Sequence, residues 1–291
     1  MKLNGNNLKI AIQKKGRLTE YALGLLRQSG LEFEIYGYRL FSNCQNFPLE
    51  ILFLRDDDIP EYVQDGICDL GIVGRNVVQE KMAKVEEVQA LGFGRCRLAI
   101  AVPRESDIDC LEGLEGKVIA TSYPNVLKLF LLRNQISAEV VNVSGSVEIT
   151  PSLNVSDAVC DLVSTGSTLR MNGLVELIMV LESEALLIAN ERSLKRGAKK
   201  LAFERLVMRL RSSLFARTRK YIMMNAPSVA LPAIEAILPG LKSPTVVPLA
   251  EPGMIAIHSV VAEDTFWQDI ERLKEAGATG ILVTPIEKMI L

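Results

Sequence analysis

The chain of 291 residues contains a single histidine and no pair of cysteines at metal-ligand spacing. The histidine, His258, lies in an alternating apolar stretch typical of a strand, so we expect neither a Ser-His-Asp triad nor a histidine metal cluster. The five cysteines have no partner base for nucleophilic catalysis, and Cys68 and Cys160 lie in apolar runs typical of buried thiols. The chemistry that remains is catalysis by positioning and by charge neutralisation.

Long apolar runs and a strong net charge are also missing. No run approaches the roughly 18 apolar residues of a membrane-spanning helix, so we expect no membrane partner. The first apolar stretch, 8–12, is too short for a secretion signal, and an odd number of cysteines without a disulfide pattern fits a reducing compartment. We therefore expect a cytoplasmic protein.

The net charge of −2 does not indicate a nucleic-acid partner, so an anionic substrate must meet locally placed cations.

Strands and helices alternate over the first two-thirds of the chain, in the βαβ order of a parallel sheet. The length predicts about two domains. The predicted strands are 8–13, 49–54, 69–74, 97–102, 117–120 and 139–143. The predicted helices are 19–29, one that ends at Val63, 125–134 and 169–177.

The last third follows a different order. Residues 192–220 carry eleven Lys or Arg against one acidic residue, Glu204, which predicts a long linker helix with a solvated basic face. A nucleic-acid-binding helix is the less favoured alternative. The segments after it predict a ferredoxin-like β-α-β-β-α-β unit of about 70 residues, with elements at 221–224, 229–238, 245–247, 254–261, 266–276 and 280–284. Small units of this kind often sense ligands, so we expect a regulatory domain on an α/β core.

The segment 159–169 is the most informative part of the chain. An apolar run leads to five small residues that offer backbone N–H groups and hydroxyl side chains to a phosphate group: Ser164, Thr165, Gly166, Ser167 and Thr168, which we call the phosphate loop. The alternative is that these residues only cap the following helix. A segment of partly similar sequence lies 92 residues earlier and aligns Asp69 with Asp161. The two segments predict two similar α/β lobes that face one cleft with a phosphosugar site.

Two arginines lie where predicted strands end. Arg17 follows a turn glycine after the first strand, and Arg55 follows the second strand. Open α/β sheets bind ligands at strand ends, and the guanidinium fork suits pyrophosphate. The alternative for each arginine is a surface ion pair, for example with Asp56–Asp58. Glu148 and Asp161 are carboxylates that could hold ribose hydroxyls, or could only cap helices.

Nine segments together resemble the long form of the ATP phosphoribosyltransferase family, which performs the first step of histidine biosynthesis. The resemblance covers nearly the whole chain. The segments are QKKGRL (13–18), RDDDIP (55–60), DGICDLGIVG (65–74), IATSYP (119–124), SGSVEI (144–149), DLVSTGSTLRMNGL (161–174), KYIMMNAP (220–227), SPTVVPL (243–249) and ILVTPIEKM (281–289). Segment 161–174 together with the C-terminal segments is highly specific for the family.

This resemblance implies an α/β fold with a two-lobed, periplasmic-binding-protein-like (type II) catalytic core and a C-terminal ferredoxin-like (ACT-like) regulatory domain. We place the first lobe and its linker helix at 1–102 and 178–217, the second lobe at 103–177 and the regulatory domain at 218–291. The resemblance also implies a hexamer in equilibrium with dimers, a need for Mg²⁺ whose protein ligands stay open, and inhibition by histidine. The family lacks the paired acidic residues of the common phosphoribosyltransferase motif, and only Asp161 stands in that place.

The implied reaction joins N1 of the adenine of ATP to C1 of 5-phosphoribosyl 1-pyrophosphate with inversion, and it releases pyrophosphate. By resemblance, Arg17 and Arg55 would bind the pyrophosphate. The phosphate loop would hold the 5-phosphate, with Glu148 and Asp161 near the ribose.

The resemblance extends to the adenine and to the inhibitor. Asp69 and Tyr123 are weaker candidates for the adenine side. Asn225, Thr245 and Gly280 would line the histidine site, although an acidic residue can occupy the place of Asn225 in relatives.

Two alternatives remain open. One is a two-lobed ligand-binding or effector module without catalysis, which would need a DNA-binding helix-turn-helix or an export signal, and the sequence has neither. The other is a different phosphoribosyltransferase, such as one that acts on a pyridine carboxylate. The predicted C-terminal unit argues against that enzyme.

Overall fold

The computed structural model describes residues 7–35, 40–195, 197–238, 243–263 and 266–290. The strands in these ranges are β1 (Leu8–Gln13), β2 (Phe41–Asn43), β3 (Leu49–Leu54), β4 (Leu70–Gly74), β5 (Glu86–Ala90), β6 (Cys96–Pro103), β7 (Val118–Thr121), β8 (Glu139–Asn142), β9 (Ala158–Val163), β10 (Leu174–Ser183), β11 (Ala185–Ala189), β12 (Arg219–Pro227), β13 (Thr245–Pro248), β14 (Met254–Ala262) and β15 (Thr279–Pro285). The α-helices are α1 (Arg17–Gln28), α2 (Ile59–Gln64), α3 (Arg75–Glu80), α4 (Pro124–Arg133), α5 (Ser167–Met171), α6 (Ala198–Arg217), α7 (Leu231–Ile237) and α8 (Phe266–Glu275). None of the helices in the described ranges is long and apolar enough to cross a membrane.

The first lobe is built on a six-stranded sheet with the order β2-β3-β1-β4-β11-β5. Strand β1 pairs in parallel with β3 on one side and with β4 on the other. Every residue of β4 is buried, and Leu8, Ile10 and Ile12 of β1 have no exposed surface. Continuous burial is typical of parallel strands, and it explains why these strands are mostly apolar in the sequence.

The second lobe is built on a five-stranded sheet with the order β10-β6-β9-β7-β8. Strand β7 runs parallel to β8 and β9, whereas β6 runs antiparallel to both β9 and β10. The two-lobed α/β core is thereby confirmed. The predicted lobe boundaries after residues 102 and 177 are wrong, because β6 and β10 pair with each other and lie wholly in the second sheet.

The segment after the phosphate loop differs from its prediction. A helix over 169–177 was expected, but α5 ends at Met171 and β10 begins at Leu174. Gly173 has a left-handed backbone, with φ of 70°, and the side-chain amide of Asn172 donates to the carbonyl of Thr168 at 2.9 Å. Both features end the helix and release the chain to pair with β6.

The C-terminal part forms a separate four-stranded antiparallel sheet with the order β13-β14-β12-β15. With α7 and α8 it has the predicted ferredoxin-like β-α-β-β-α-β order. Ile222, Ile234, Ile257 and Leu273 are the centre of its core and are all at most 1% exposed. This fold is confirmed.

The chain divides into two compact units. The first comprises the described residues up to 24 and 31–203, and the second comprises 25–30 and the described residues from 204 onwards. Helix α6 is shorter than the predicted 192–220, and its exposed residues include Arg205, Arg211 and Arg217. Leu206 and Leu210 on the same helix are fully buried. The burial pattern fits a helix with one solvated basic face.

Asp69 and Lys199 form a buried ion pair within the first unit. The Asp69 side chain is 2% exposed, and its two carboxylate oxygens accept from Lys199 Nζ at 2.8 and 2.9 Å. The backbone N–H of Lys9 donates to the same carboxylate at 2.9 Å. The pair therefore joins the start of β4 to the start of α6.

Replacing Asp69 by asparagine should lower the free energy of unfolding by about 2 kcal/mol, because a mostly buried lysine loses its charged partner. Urea unfolding followed by circular dichroism measures the change. The exposed Asp65 offers a matched control, since Asp65→Asn should change the stability by less than about 0.5 kcal/mol. A stability of Asp69→Asn equal to that of the wild type would contradict the role of the pair.

Candidate active site

Strands of both lobes end at one cavity of about 820 Å³. In the first lobe, Gln13 ends β1 and Gly74 ends β4, and both residues line the cavity. In the second lobe, Tyr123 follows β7 and Ser164 follows β9. The carboxyl ends of parallel strands are where open α/β sheets bind ligands. Four of the predicted site residues line this cleft, namely Arg17, Tyr123, Asp161 and Ser164.

The phosphate loop forms the turn between β9 and α5. Gly166 has a left-handed backbone, with φ of 73°, and precedes the first residue of α5. The hydroxyl groups of Thr165 and Ser167 lie 3.0 Å apart. A left-handed residue between helical or extended neighbours turns successive backbone N–H groups toward one point, which is a geometry that binds anions. The loop can therefore accept a phosphate group.

Three arginines contact this loop. Arg17 reaches it from the first lobe, with its Nη1 3.5 Å from Ser164 Oγ. Arg97 donates to the carbonyl of Ser164 at 3.4 Å, and Arg170 donates to the carbonyl of Thr165 at 3.2 Å. Because two carbonyl groups of the loop already have cationic donors, the loop presents little negative charge to an anion.

Two carboxylates, Asp161 and Glu148, are predicted to bind the ribose. Asp161 lines the cleft, and the backbone N–H of Leu162 donates to it at 2.7 Å. Burial raises the pKa of Asp161 above its ordinary value, and the nearby charge of Glu148 adds to the rise. The bond from Leu162 has the opposite effect. Glu148 follows β8 and is partly exposed.

Tyr123 is the polar group of the second lobe that faces the first lobe most directly. Its hydroxyl oxygen accepts from Asn76 Nδ2 at 3.1 Å. Burial raises the pKa of Tyr123, and the charge of Asp161 adds to the rise, whereas the bond from Asn76 opposes it. The phenol therefore stays protonated at neutral pH, so its proton is available for donation.

Seven of the residues predicted for the catalytic site are not on the wall of this cavity, namely Arg55, Asp69, Glu148, Thr165, Gly166, Ser167 and Thr168. Arg55 is exposed after β3, next to Asp56, which does line the cleft. The prediction for Asp69 is wrong, because Asp69 lies before β4 and the cleft is at the other end of that strand. The sequence similarity that aligns Asp69 with Asp161 does not correspond to the same position in the two strands. Asp161 lies inside β9, near its carboxyl end, whereas Asp69 precedes β4.

The sequence did not reveal an aromatic wall of the cleft. The rings of Tyr21 and Phe93 stack with their centroids 5.5 Å apart, and both residues line the cavity. Tyr21 lies on α1 and is 57% exposed. The glycines at 92 and 94, on either side of Phe93, were the available signal for a turn at a ligand site.

Family models match both parts of the chain. The ATP phosphoribosyltransferase model (HisG) matches residues 55–212, and the model of the HisG C-terminal domain matches residues 216–288. The ATP phosphoribosyltransferase of Cytophaga hutchinsonii is 50% identical over 283 residues, which is 97% of this chain and 98% of that protein. The enzyme of that name from Bacteroides thetaiotaomicron is 46% identical over 284 residues, which is 98% of this chain and all of that protein.

The chain belongs to the ATP phosphoribosyltransferase family.

A solved structure supports the same assignment. The "ATP phosphoribosyl transferase (HisG:HisZ) complex from Thermotoga maritima" contains a chain that is 27% identical, with a TM-score of 0.60. The match covers 70% of this chain and 98% of that chain. Membership of the ATP phosphoribosyltransferase family favours the enzyme over the two alternatives that the sequence left open, the non-catalytic binding module and a different phosphoribosyltransferase.

The residues predicted for an ATP phosphoribosyltransferase inhibitor site lie in the C-terminal sheet. A Cβ atom on Gly280 would lie 3.6 Å from Asn225 Nδ2, so these two positions are neighbours. Thr245 begins β13 and pairs with His258, and β14 separates it from β12, which carries Asn225. The separation of Thr245 from Asn225 is therefore on the order of 10 Å or more.

The thiols give a test of the cleft geometry. Burial raises the pKa of Cys96, which lines the cleft, so its thiolate is scarce at pH 7 and its alkylation should accelerate as the pH rises. Iodoacetamide should modify the exposed Cys110 first, then Cys96, and should reach the buried Cys68 and Cys160 only after unfolding. Peptide mapping by mass spectrometry measures the order. Equal rates for Cys96 and Cys110 at pH 7 would be inconsistent with this cleft.

Proposed function

We propose that the cleft transfers the 5-phosphoribosyl group from 5-phosphoribosyl 1-pyrophosphate to N1 of ATP, giving 1-(5-phosphoribosyl)-ATP and pyrophosphate. This is the first step of histidine biosynthesis. The observation that carries the proposal is the phosphate loop at the end of β9, with Arg17 from the opposite lobe 3.5 Å from its first hydroxyl. The membership of the family and the aromatic wall opposite the loop agree with it.

The reaction asks for charge stabilisation more than for proton transfer. N1 of adenine already has a lone pair, so no strong general base is needed to make it a nucleophile. The barrier lies in the departure of pyrophosphate and in the positive charge that develops on the sugar. Fixed donors and cations in a water-poor cleft stabilise such charges strongly. The absence of a histidine from the described cleft lining fits this demand.

The second lobe holds the sugar. The phosphate loop binds the 5-phosphate through backbone N–H groups and through the hydroxyls of Ser164, Thr165, Ser167 and Thr168. Asp161, which lines the cleft with Ser164, accepts hydrogen bonds from the ribose hydroxyls, and Glu148 assists as the family resemblance implies. Their negative charge also favours the cationic sugar in the transition state.

The leaving group and the nucleotide lie toward the first lobe. Arg17 neutralises the pyrophosphate as it departs, and Arg55 assists from the end of β3. The adenine ring packs against the Tyr21–Phe93 pair, because flat rings stack favourably on aromatic side chains. Tyr123 donates a hydrogen bond on the adenine side.

The required cation is Mg²⁺, carried on the phosphate groups of the substrates. In the described part of the chain, no cluster of three or more His, Cys, Asp or Glu side chains could hold a metal. Mg²⁺ typically keeps several waters and uses one or two carboxylates together with substrate phosphates. Asp56 and Asp161 line the cleft and suit this role. When bound, the ion neutralises phosphate charge.

Histidine regulates the enzyme through the C-terminal unit. Asn225 and Gly280 are neighbours there, and a cavity of about 580 Å³ next to Gly280 has Lys274 and Glu263 on its wall. Lys274 suits the carboxylate of a free amino acid, whereas Glu263 is already paired with Lys220 at 3.0 Å. Histidine acts by binding the less active arrangement more tightly than the active one.

The family resemblance also supports a cytoplasmic homo-hexamer in equilibrium with dimers. It supports Thr245 as a residue of the inhibitor site.

Arg17→Ala should lower kcat by about 10²–10³-fold, as expected when one preorganised donor to the developing charge is lost. Arg17→Lys should restore only part of the rate, since lysine cannot make a bidentate contact. Adduct formation from ATP, 5-phosphoribosyl 1-pyrophosphate and Mg²⁺, followed by ultraviolet absorbance and by mass, measures the rate. The exposed Arg133 at the end of α4 is the control, and Arg133→Ala should behave as wild type. A wild-type kcat for Arg17→Ala would refute this role.

Asn225→Ala should remove inhibition by histidine and leave the uninhibited kcat unchanged, because the altered amide lies in the C-terminal unit. Histidine should not compete with 5-phosphoribosyl 1-pyrophosphate in the wild type. Initial rates at several histidine concentrations test both statements, and Ser228→Ala, also exposed in that unit, is the control. Competitive inhibition, or undiminished inhibition of Asn225→Ala, would count against this site.

A further inference from the structure

Helix α3 of the first lobe carries two side chains that reach the second lobe. Asn76 and Glu80 are four residues apart, so they lie on the same face of the helix. Both are bonded to the segment that contains Tyr123, the residue that precedes α4. One turn of α3 therefore binds both the hydroxyl group of Tyr123 and the backbone that follows it.

Glu80 caps α4 from the opposite lobe. Its carboxylate accepts the backbone N–H groups of Asn125 at 3.1 Å and of Val126 at 3.0 Å. The side-chain amide of Asn125 donates in return to the carbonyl of Glu80 at 3.0 Å. Tyr123 occupies the N-cap position but makes no side-chain cap of its own. The carboxylate thus satisfies N–H groups that a helix start leaves without partners, and it fixes the backbone next to Tyr123.

Ser183 determines which way the amide of Asn76 points. The backbone N–H of Asn76 donates to Ser183 Oγ at 3.0 Å, so the Ser183 hydroxyl is free to donate onward. It donates to Asn76 Oδ1 at 2.8 Å. The Nδ2 group of Asn76 is then the end that faces Tyr123. Asn76 is 6% exposed and Ser183 is 4% exposed, so water competes little for these bonds.

The direction of these bonds decides the role of the phenol. Because the Tyr123 oxygen accepts from Asn76, its own proton must point elsewhere. None of the bonds within the described part of the chain uses that proton, and Tyr123 lines the cleft. Because Asn76 uses one acceptor position of the oxygen, donation of the remaining proton into the cleft is favoured over further acceptance.

We propose that Asn76 and Glu80 are positioning residues that fix the phenol of Tyr123 as a hydrogen-bond donor to the adenine ring of ATP. The proposal rests on the proposed function, which places the adenine beside Tyr123. Adenine has ring acceptors at N3 and N7 besides the attacking N1. A fixed donor to one of them orients the ring while leaving the N1 lone pair available for the sugar.

Asn76→Asp is the sharpest test, since it keeps the shape of the side chain but replaces the donor by an acceptor. The phenol would then donate to the introduced carboxylate and lose its direction into the cleft. We expect KM for ATP to rise about tenfold, in line with the loss of one hydrogen bond, while KM for 5-phosphoribosyl 1-pyrophosphate stays within error; the melting temperature should fall, because the new carboxylate is mostly buried. Asn134→Asp makes the same chemical change at the exposed end of α4 and should have no effect.

Further variants separate positioning from a general structural role. Tyr123→Phe should show the same rise in KM for ATP, and the double variant with Asn76→Asp should be no worse than Tyr123→Phe alone. Ser183→Ala frees the side-chain amide of Asn76 to rotate and should raise KM for ATP less than Asn76→Asp does. It replaces Asn76→Asp as the test if that variant folds poorly. Glu80→Gln weakens the cap and should also raise KM for ATP. The analogues 3-deaza-ATP and 7-deaza-ATP each lack one of the two ring acceptors. The analogue that lacks the nitrogen bonded by Tyr123 should bind the wild type more weakly than ATP does. It should bind Asn76→Asp as tightly as ATP binds that variant.

The proposal is overturned if KM for ATP is unchanged in both Asn76→Asp and Ser183→Ala. It is also overturned if the losses of Asn76→Asp and Tyr123→Phe multiply in the double variant, or if both KM values rise together. Adduct formation by the wild type tests the proposed function separately. If no adduct formed, that function would fail, and the ATP dissociation constants of the same variants would still decide whether the phenol is a fixed donor.

Discussion

The bonds that α3 makes across the cleft set how the two lobes of the first unit face each other. Glu80 caps α4 with backbone bonds of 3.0 to 3.1 Å, and Asn76 holds the hydroxyl of Tyr123 at 3.1 Å. The contact between Arg17 and Ser164, at 3.5 Å, is longer and more exposed. At this separation the strand ends of both sheets line one cavity. The groups that would bind the sugar and the nucleotide depend on it.

Charge is organised locally, as a net charge of only −2 requires. Three arginines surround the phosphate loop, and two of them bind carbonyl groups of the loop, so that its N–H groups remain for an anion. The partly buried carboxyl of Asp161 and the phenol of Tyr123 both line the cleft in which the sugar and adenine would meet. This arrangement suits a transfer in which pyrophosphate leaves and no strong base is needed.

Elements with a clear hydrophobic pattern were predictable from the sequence. Features that depend on strand pairing or on other tertiary contacts were not. Strands such as β1 and β3 match their predicted bounds because a buried parallel strand is an apolar run with turn residues at its ends. The lobe boundaries were missed because only strand pairing shows that β6 and β10 belong together. Among the site residues, the phosphate loop has a local signature and Phe93 has flanking glycines, whereas Asn76 gains its place from tertiary contacts alone. Asp69 was misplaced because similar sequence does not fix the same position along a strand.

Binding of the phosphosugar to the phosphate loop is the claim on which the proposed function depends most. Titration calorimetry with 5-phosphoribosyl 1-pyrophosphate and Mg²⁺, without ATP, measures it in the wild type and in Gly166→Val. Valine is strained at a φ of 73° and would push against Arg170, so this variant should lose at least about tenfold in affinity. Gly116→Val imposes the same strain, at a φ of 72°, in open space elsewhere in this lobe and should keep wild-type affinity. Equal affinity of Gly166→Val and the wild type would contradict the assignment of the loop.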